Sequence, residues 1–75
     1  MSPYNFGMTI RITLNGTPRE LPAALTIGQL LEDLALAGRR VAIERNGEIV
    51  PRSGFAKARL ADGDRVEVVM AVGGG

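Results

Sequence analysis

The sequence predicts an α+β fold: a mixed five-stranded sheet with one helix packed across one face. Three observations carry that prediction. Apolar and polar residues alternate near both ends of the chain, the mark of strands with one buried face. A single stretch between them repeats its apolar residues at helical spacing. Two Asn-Gly pairs, Asn15-Gly16 and Asn46-Gly47, stand where tight hairpins would join neighbouring strands.

The first strand begins at Met8. Met8, Ile10, Ile12 and Leu14 alternate with Thr9, Arg11 and Thr13, so one face is apolar throughout. Asn15-Gly16 then turns the chain, because both residues accept the positive backbone dihedrals of a two-residue hairpin. The returning segment, Thr17 to Pro22, contains Pro18 and Pro22, which cannot donate to a ladder. It is expected at a sheet edge.

The helix follows. Thr26 and Gln29 have the spacing of a capping box, and Ile27, Leu30, Leu31 and Leu34 form one stripe. Gly38 is expected to close the helix in the left-handed conformation, with Arg39 and Arg40 complementing the helix dipole. Val41 and Ile43 begin a third strand, Asn46-Gly47 repeats the hairpin signal, and Glu48 to Val50 return before Pro51. Arg52 to Arg59 read as irregular chain or a single helical turn anchored by Phe55. Asp62-Gly63-Asp64 mark a tight turn into the last strand, where Val66, Val68 and Met70 share one face and Arg65, Glu67 and Val69 the other. A β-grasp arrangement, with the first and last strands central, satisfies every buried face. The expected organisation is a disordered leader at 1–7, a β-grasp domain at 8–70 and a flexible glycine tail at 71–75.

Composition narrows the chemistry. A 75-residue chain supports one small domain, which buries only about 60% of its unfolded surface and has little stability to spare for a deep cavity. It contains no cysteine, histidine or tryptophan. Thiol chemistry, disulfides, metal ligation by the usual soft residues and every His- or Cys-based triad are therefore excluded. The net charge of +1 and an aromatic content of 4% argue against nucleic acid as a partner. No apolar run reaches the roughly 20 residues of a membrane span, and Met1 to Gly7 lack the features of a secretory signal. The cytoplasm is the expected location.

The carboxylates offer little catalysis. Glu32 and Asp33 are adjacent on a helix and point apart, and Asp62 and Asp64 flank a glycine as turn acceptors. No metal site is expected, and the scattered arginines read as surface charge with one or two available for docking. The terminus is different. Gly73, Gly74 and Gly75 in succession have a chance probability on the order of 0.0003. A side-chain-free tail is thin enough to thread a partner's channel. It ends in an ionised carboxylate able to attack the α-phosphate of ATP in a partner's active site, giving an acyl adenylate.

At these residues the chain resembles a known family. The stretch Val41-Ala42-Ile43-Glu44-Arg45-Asn46-Gly47-Glu48-Ile49-Val50-Pro51-Arg52 is similar to the central segment of the ThiS family, the sulfur carriers of thiamine biosynthesis. Leu60 to Val69, the closing Val72 to Gly75, Asn15-Gly16 and Thr26 to Leu31 extend the likeness across Met8 to Gly75. The leader, Met1 to Gly7, is a departure that the family does not need. The resemblance implies a ubiquitin-like β-grasp fold and a protein co-substrate rather than an enzyme. A ThiF-like adenylating enzyme would activate Gly75 with ATP, the tail residues Gly73 and Gly74 threading its active site. A cysteine desulfurase system would supply sulfur for a thiocarboxylate, and thiazole synthase (ThiG) would accept it. No bound cofactor is implied. Val69, Ala71 and Val72, with Phe55, are the apolar candidates for docking. The alternatives are the small subunit of molybdopterin synthase, a ubiquitin-like protein modifier, and a binding module whose tail is incidental.

Overall fold

A computed structural model describes residues 9–70. The expected leader at 1–7, Met8 and the tail at 71–75 lie outside the described residues. Five strands form one sheet: β1 (Ile10–Leu14), β2 (Thr17–Leu21), β3 (Val41–Arg45), β4 (Glu48–Val50) and β5 (Arg65–Met70). One helix, α1 (Ile27–Asp33), lies between β2 and β3, and a short 3-10 turn spans Arg52–Gly54. The spatial order is β2-β1-β5-β3-β4. β1 and β5 run parallel and every other neighbouring pair antiparallel. The sheet is therefore mixed, with the last strand at its centre and the proline-bearing β2 at an edge.

Alternation decides the faces. Ile12, Ile43 and Val66 point inward and are at most 1% exposed. The stripe Ile27, Leu30 and Leu31 of α1 meets them, and Leu21 and Leu60 complete the core. Each fully buried side chain of this kind contributes about 1.5–3 kcal/mol of hydrophobic stabilisation. The capping box forms as read: the Gln29 amide donates to Thr26 Oγ1 at 3.1 Å, and the Thr26 amide donates to Gln29 Oε1 at 2.8 Å.

The far end of α1 departs from expectation. Helical structure stops at Asp33, and Ala35, not Gly38, takes the left-handed conformation there, with φ +61°. Leu36 N–H donates to the Leu31 carbonyl at 2.7 Å and Ala35 N–H to the Glu32 carbonyl at 3.0 Å. This is a Schellman closure, whose usual apolar partners are Leu36 and Leu31, both packed in or against the core. The packing of Leu36 against the core fixes the stop, and an alanine tolerates the strain. Gly38, with φ +80°, forms a second turn in which Arg39 N–H donates to the Leu36 carbonyl at 3.0 Å. Arg39 and Arg40 thus lie beyond the last helical turn, which contains no basic residue.

The chain from Arg52 to Leu60 is stitched to the start of α1. Ile27 N–H donates to the Ala58 carbonyl and Gly28 N–H to the Phe55 carbonyl, at 2.9 and 3.0 Å. Leu60 N–H returns to the Leu25 carbonyl at 2.8 Å. These bonds satisfy helix-terminal donors that have no partner within the helix itself.

Candidate functional site

The chemistry read from the sequence belongs to the terminus, so the strand that leads to it defines the site. β5 is held on both sides. Its first two residues pair with β1 through Thr13↔Arg65 and Leu14↔Val66, and Val66 to Met70 pair with β3 from Arg45↔Val66 to Val41↔Met70. Met70 is the last described residue. The candidate residues Ala71, Val72, Gly73, Gly74 and Gly75 lie outside the described residues.

Both Asn-Gly hairpins turn their asparagine side chains onto β5. Asn15 and Gly16 have φ +50° and +83°, and Asn46 and Gly47 have φ +52° and +86°, the left-handed pair of a type I′ turn. Beyond the end of β1, Asn15 Oδ1 accepts from Val68 N–H at 2.8 Å and Asn15 Nδ2 donates to the Val68 carbonyl at 3.3 Å. One side-chain amide thereby replaces a missing rung of the ladder. On the other side, Asn46 Oδ1 accepts from Arg65 N–H at 2.8 Å, and Asn46 Nδ2 donates to Asp64 Oδ1 at 3.0 Å.

Asp64 is the hub of this second brace, 7% exposed at the mouth of β5. Its Oδ2 accepts from Arg45 Nε, from Arg45 Nη2 and from Ala61 N–H, each at 2.8 Å. Burial by itself would raise its pKa. The bonds from Ala61, Asn46 and Arg45, together with the guanidinium charge, outweigh that effect and hold the carboxyl below its ordinary value. Asp62 accepts from Arg11 N–H at 2.8 Å. Asp64 is the turn acceptor the sequence indicates, taking the N–H of Ala61, whereas Asp62 reaches across to β1. Among the described residues no group of three or more acidic, His or Cys side chains is placed to hold a metal ion.

Val69 is 58% exposed on the sheet face turned away from α1. Ala42 stands opposite it in β3, and Ile49, 66% exposed in β4, lies opposite Glu44 on the same face. This is a small apolar patch beside the departing chain. Glu44 and Glu67 face each other directly across the ladder, an unfavourable pairing of like charges on an otherwise open surface. Phe55 is half-buried on the other side of the sheet, among α1 and the 3-10 segment, and does not join Val69. The sequence places Asn15, Asn46 and Asp64 in turns, but their bonds to Val68, Arg65 and Arg45 join segments distant in the chain and are not legible there. Their one advance signal is a turn-forming Asn directly after each strand that flanks β5 and an Asp directly before β5.

A β-grasp domain whose central last strand leads into an all-glycine terminus has the build of the ubiquitin-like proteins. Within that class the chain belongs to the ThiS family, whose model matches residues 12–75. A protein of Paramagnetospirillum magneticum named thiazole synthase is 42% identical over 66 residues, covering 88% of this chain and 20% of that protein. The sulfur carrier protein ThiS of Bacillus subtilis is 40% identical over 50 residues, covering 67% of this chain and 76% of that protein. The crystal structure of the thiamine biosynthesis protein ThiS from Geobacter metallireducens superposes with a TM-score of 0.76 at 36% identity, covering 88% of this chain and 100% of that one. The chain thus spans only 20% of the length of the thiazole synthase it matches.

Proposed function

We propose that this chain is a sulfur carrier of thiamine biosynthesis and that its reactive group is the carboxylate of Gly75. The observation that carries the reading is the family match, which runs through residue 75 and so includes the three terminal glycines. In an adenylating partner of the ThiF kind, a Gly75 carboxylate oxygen attacks the α-phosphate of ATP. Pyrophosphate leaves and an acyl adenylate forms. The terminal sulfur of a persulfide, generated by a cysteine desulfurase system, then attacks the acyl carbon and displaces AMP, giving an acyl disulfide. Attack on that disulfide by a second thiol releases the thiocarboxylate, whose sulfur is more nucleophilic than the oxygen it replaces.

The acceptor in this reading is thiazole synthase. Support comes from relatives of that name in which the matching segment makes up a fifth of the length, in Paramagnetospirillum magneticum and in Magnetococcus marinus. The chain contributes an atom and a docking surface in the cytoplasm, and its partners supply catalysis and consume the ATP. Gly73 and Gly74 thread the partner's active site, with Ala71 and Val72 at its mouth and Val69 seated on the partner's surface. Among the described residues no helix is long and apolar enough to cross a membrane.

Intact mass spectrometry tests the chemistry. Incubation with ATP, the adenylating enzyme and a sulfur source is expected to add the difference between sulfur and oxygen, localised to the C-terminus. Deletion of Gly74 and Gly75 is expected to abolish the gain. An unchanged mass with a partner proven active on another carrier overturns the reading. Delivery of the sulfur to a molybdopterin precursor and not to thiazole replaces the acceptor.

A further inference from the structure

Behind the sheet, the 3-10 segment and the loop after α1 leave an open cleft of about 690 Å³ against the helix. Its lining is mixed: Thr26 and Gln29 are polar, and the half-buried Phe55 is the largest apolar side chain, with Leu31 almost fully buried beneath. Three arginines line it, Arg39, Arg52 and Arg59, against the single acidic residue Glu32. The ion pairs among the described residues are Arg19–Asp33 and Arg45–Asp64, so none of these four takes part in one. Two of the arginines are steadied from behind. Arg52 Nη2 donates to the Arg39 carbonyl at 3.5 Å, and Arg59 Nη1 donates to the Ala24 carbonyl at 2.6 Å. Each guanidinium has five N–H donors, so most remain available for carboxylates, which they match in shape.

We propose that this cleft is a second docking site, which receives an acidic segment of a partner protein carrying an apolar side chain. The apolar side chain rests on Phe55 while its neighbouring carboxylates meet Arg39, Arg52 and Arg59. Charge complementarity selects the sign. The open shape selects a chain segment over a small anion, because an exposed ion pair contributes at most about 1 kcal/mol and apolar burial must supply the remainder.

The position matters as much as the charge. Gly38 and Arg39 line the cleft, and Arg40 links them to Val41, the register partner of Met70. The cleft therefore opens near the end of the sheet from which the chain continues to its glycines. It nevertheless faces away from Val69. This site stands whether or not the terminus carries sulfur.

The test uses the full chain, isotope-labelled, and a short synthetic peptide alternating glutamate with leucine and phenylalanine. Amide resonances of Gly28, Leu31, Gly38, Phe55 and Ala56 are expected to shift, while those of Ala42 and Val69 stay in place. The double variant Arg39→Glu/Arg52→Glu is expected to lose about tenfold in affinity, as two exposed charge pairs predict. Both side chains are exposed, and the uncharged pair Arg39→Gln/Arg52→Gln is expected to bind with intermediate strength. Absence of binding, equal binding of the matching lysine peptide, or unchanged affinity in the reversed variant overturns the proposal. So does a shift map centred on Val69, or ATP alone displacing the cleft resonances, which would assign the rim to a small anion.

Discussion

The two Asn-Gly hairpins are the same turn put to different use. Each is type I′, each precedes a short returning strand, and each directs its asparagine toward β5. Asn15 bonds only to backbone, spanning the N–H and carbonyl of Val68. Asn46 shares its bonds between the backbone of Arg65 and the carboxylate of Asp64, which is itself tied to Arg45 and Ala61. One brace is a neutral substitute for a ladder rung. The other is part of a partly buried, charged network. Identical dipeptides thus give the two sides of one strand different sensitivities to mutation and to pH.

The charged side is the one to break first. Asp64→Ala leaves Arg45 without its carboxylate and Asn46 and Ala61 N–H without an acceptor, and is expected to cost about 3 kcal/mol, read as a lowered urea midpoint. The same carboxyl makes that brace pH-dependent. Its folded pKa lies below the unfolded value of about 3.9, so its contribution is complete above that pH and lost as pH falls through the folded value. Acid unfolding followed by circular dichroism is expected to lose part of its steepness in Asp64→Asn. In Asn15→Ala the acid limb is expected to run parallel to the parent's.

Asn46→Ala is expected to cost about 2 kcal/mol, because it removes two side-chain bonds and leaves a Cβ residue at positive φ without compensation. Asn15→Ala should cost less, about 1 kcal/mol, since Val68 is at the exposed end of the ladder where water can replace the amide. Equal losses at the two asparagines would erase the distinction between the braces. Ala35 supplies the baseline, a left-handed residue whose side chain makes no hydrogen bond. Ala35→Gly is expected to gain about 0.5–1 kcal/mol in the same denaturation experiment, the strain that both asparagines also bear.

Much of the molecule was legible before folding because its signals are local. Alternation at Ile10–Leu14 and Arg65–Met70 set strand faces, Asn-Gly set two turns, and Thr26 with Gln29 set the start of the helix. Gly38 marks the helix stop too late, because a glycine is visible in sequence, whereas the packing of Leu36 against the core is not. Apolarity alone groups Phe55 with Val69. Its actual side of the sheet follows from the bond between Gly28 N–H and its carbonyl, a contact between segments distant in the chain.

The sequence by itself determined the element types, the two turn geometries, the absence of side-chain nucleophiles based on sulfur or imidazole, and an all-glycine terminus. Those properties depend on dihedral preference, periodicity and residue chemistry, which neighbouring residues settle among themselves. The tertiary structure decided which partners the polar side chains found. Asn15 meets Val68 across 53 positions and Asn46 meets Asp64 across 18. It also gathered Arg39, Arg52 and Arg59 around one cleft. A side chain's partner depends on which surfaces the closing core brings within about 3 Å of each other. That is a property of the packed sheet and helix, which no stretch of neighbouring residues encodes.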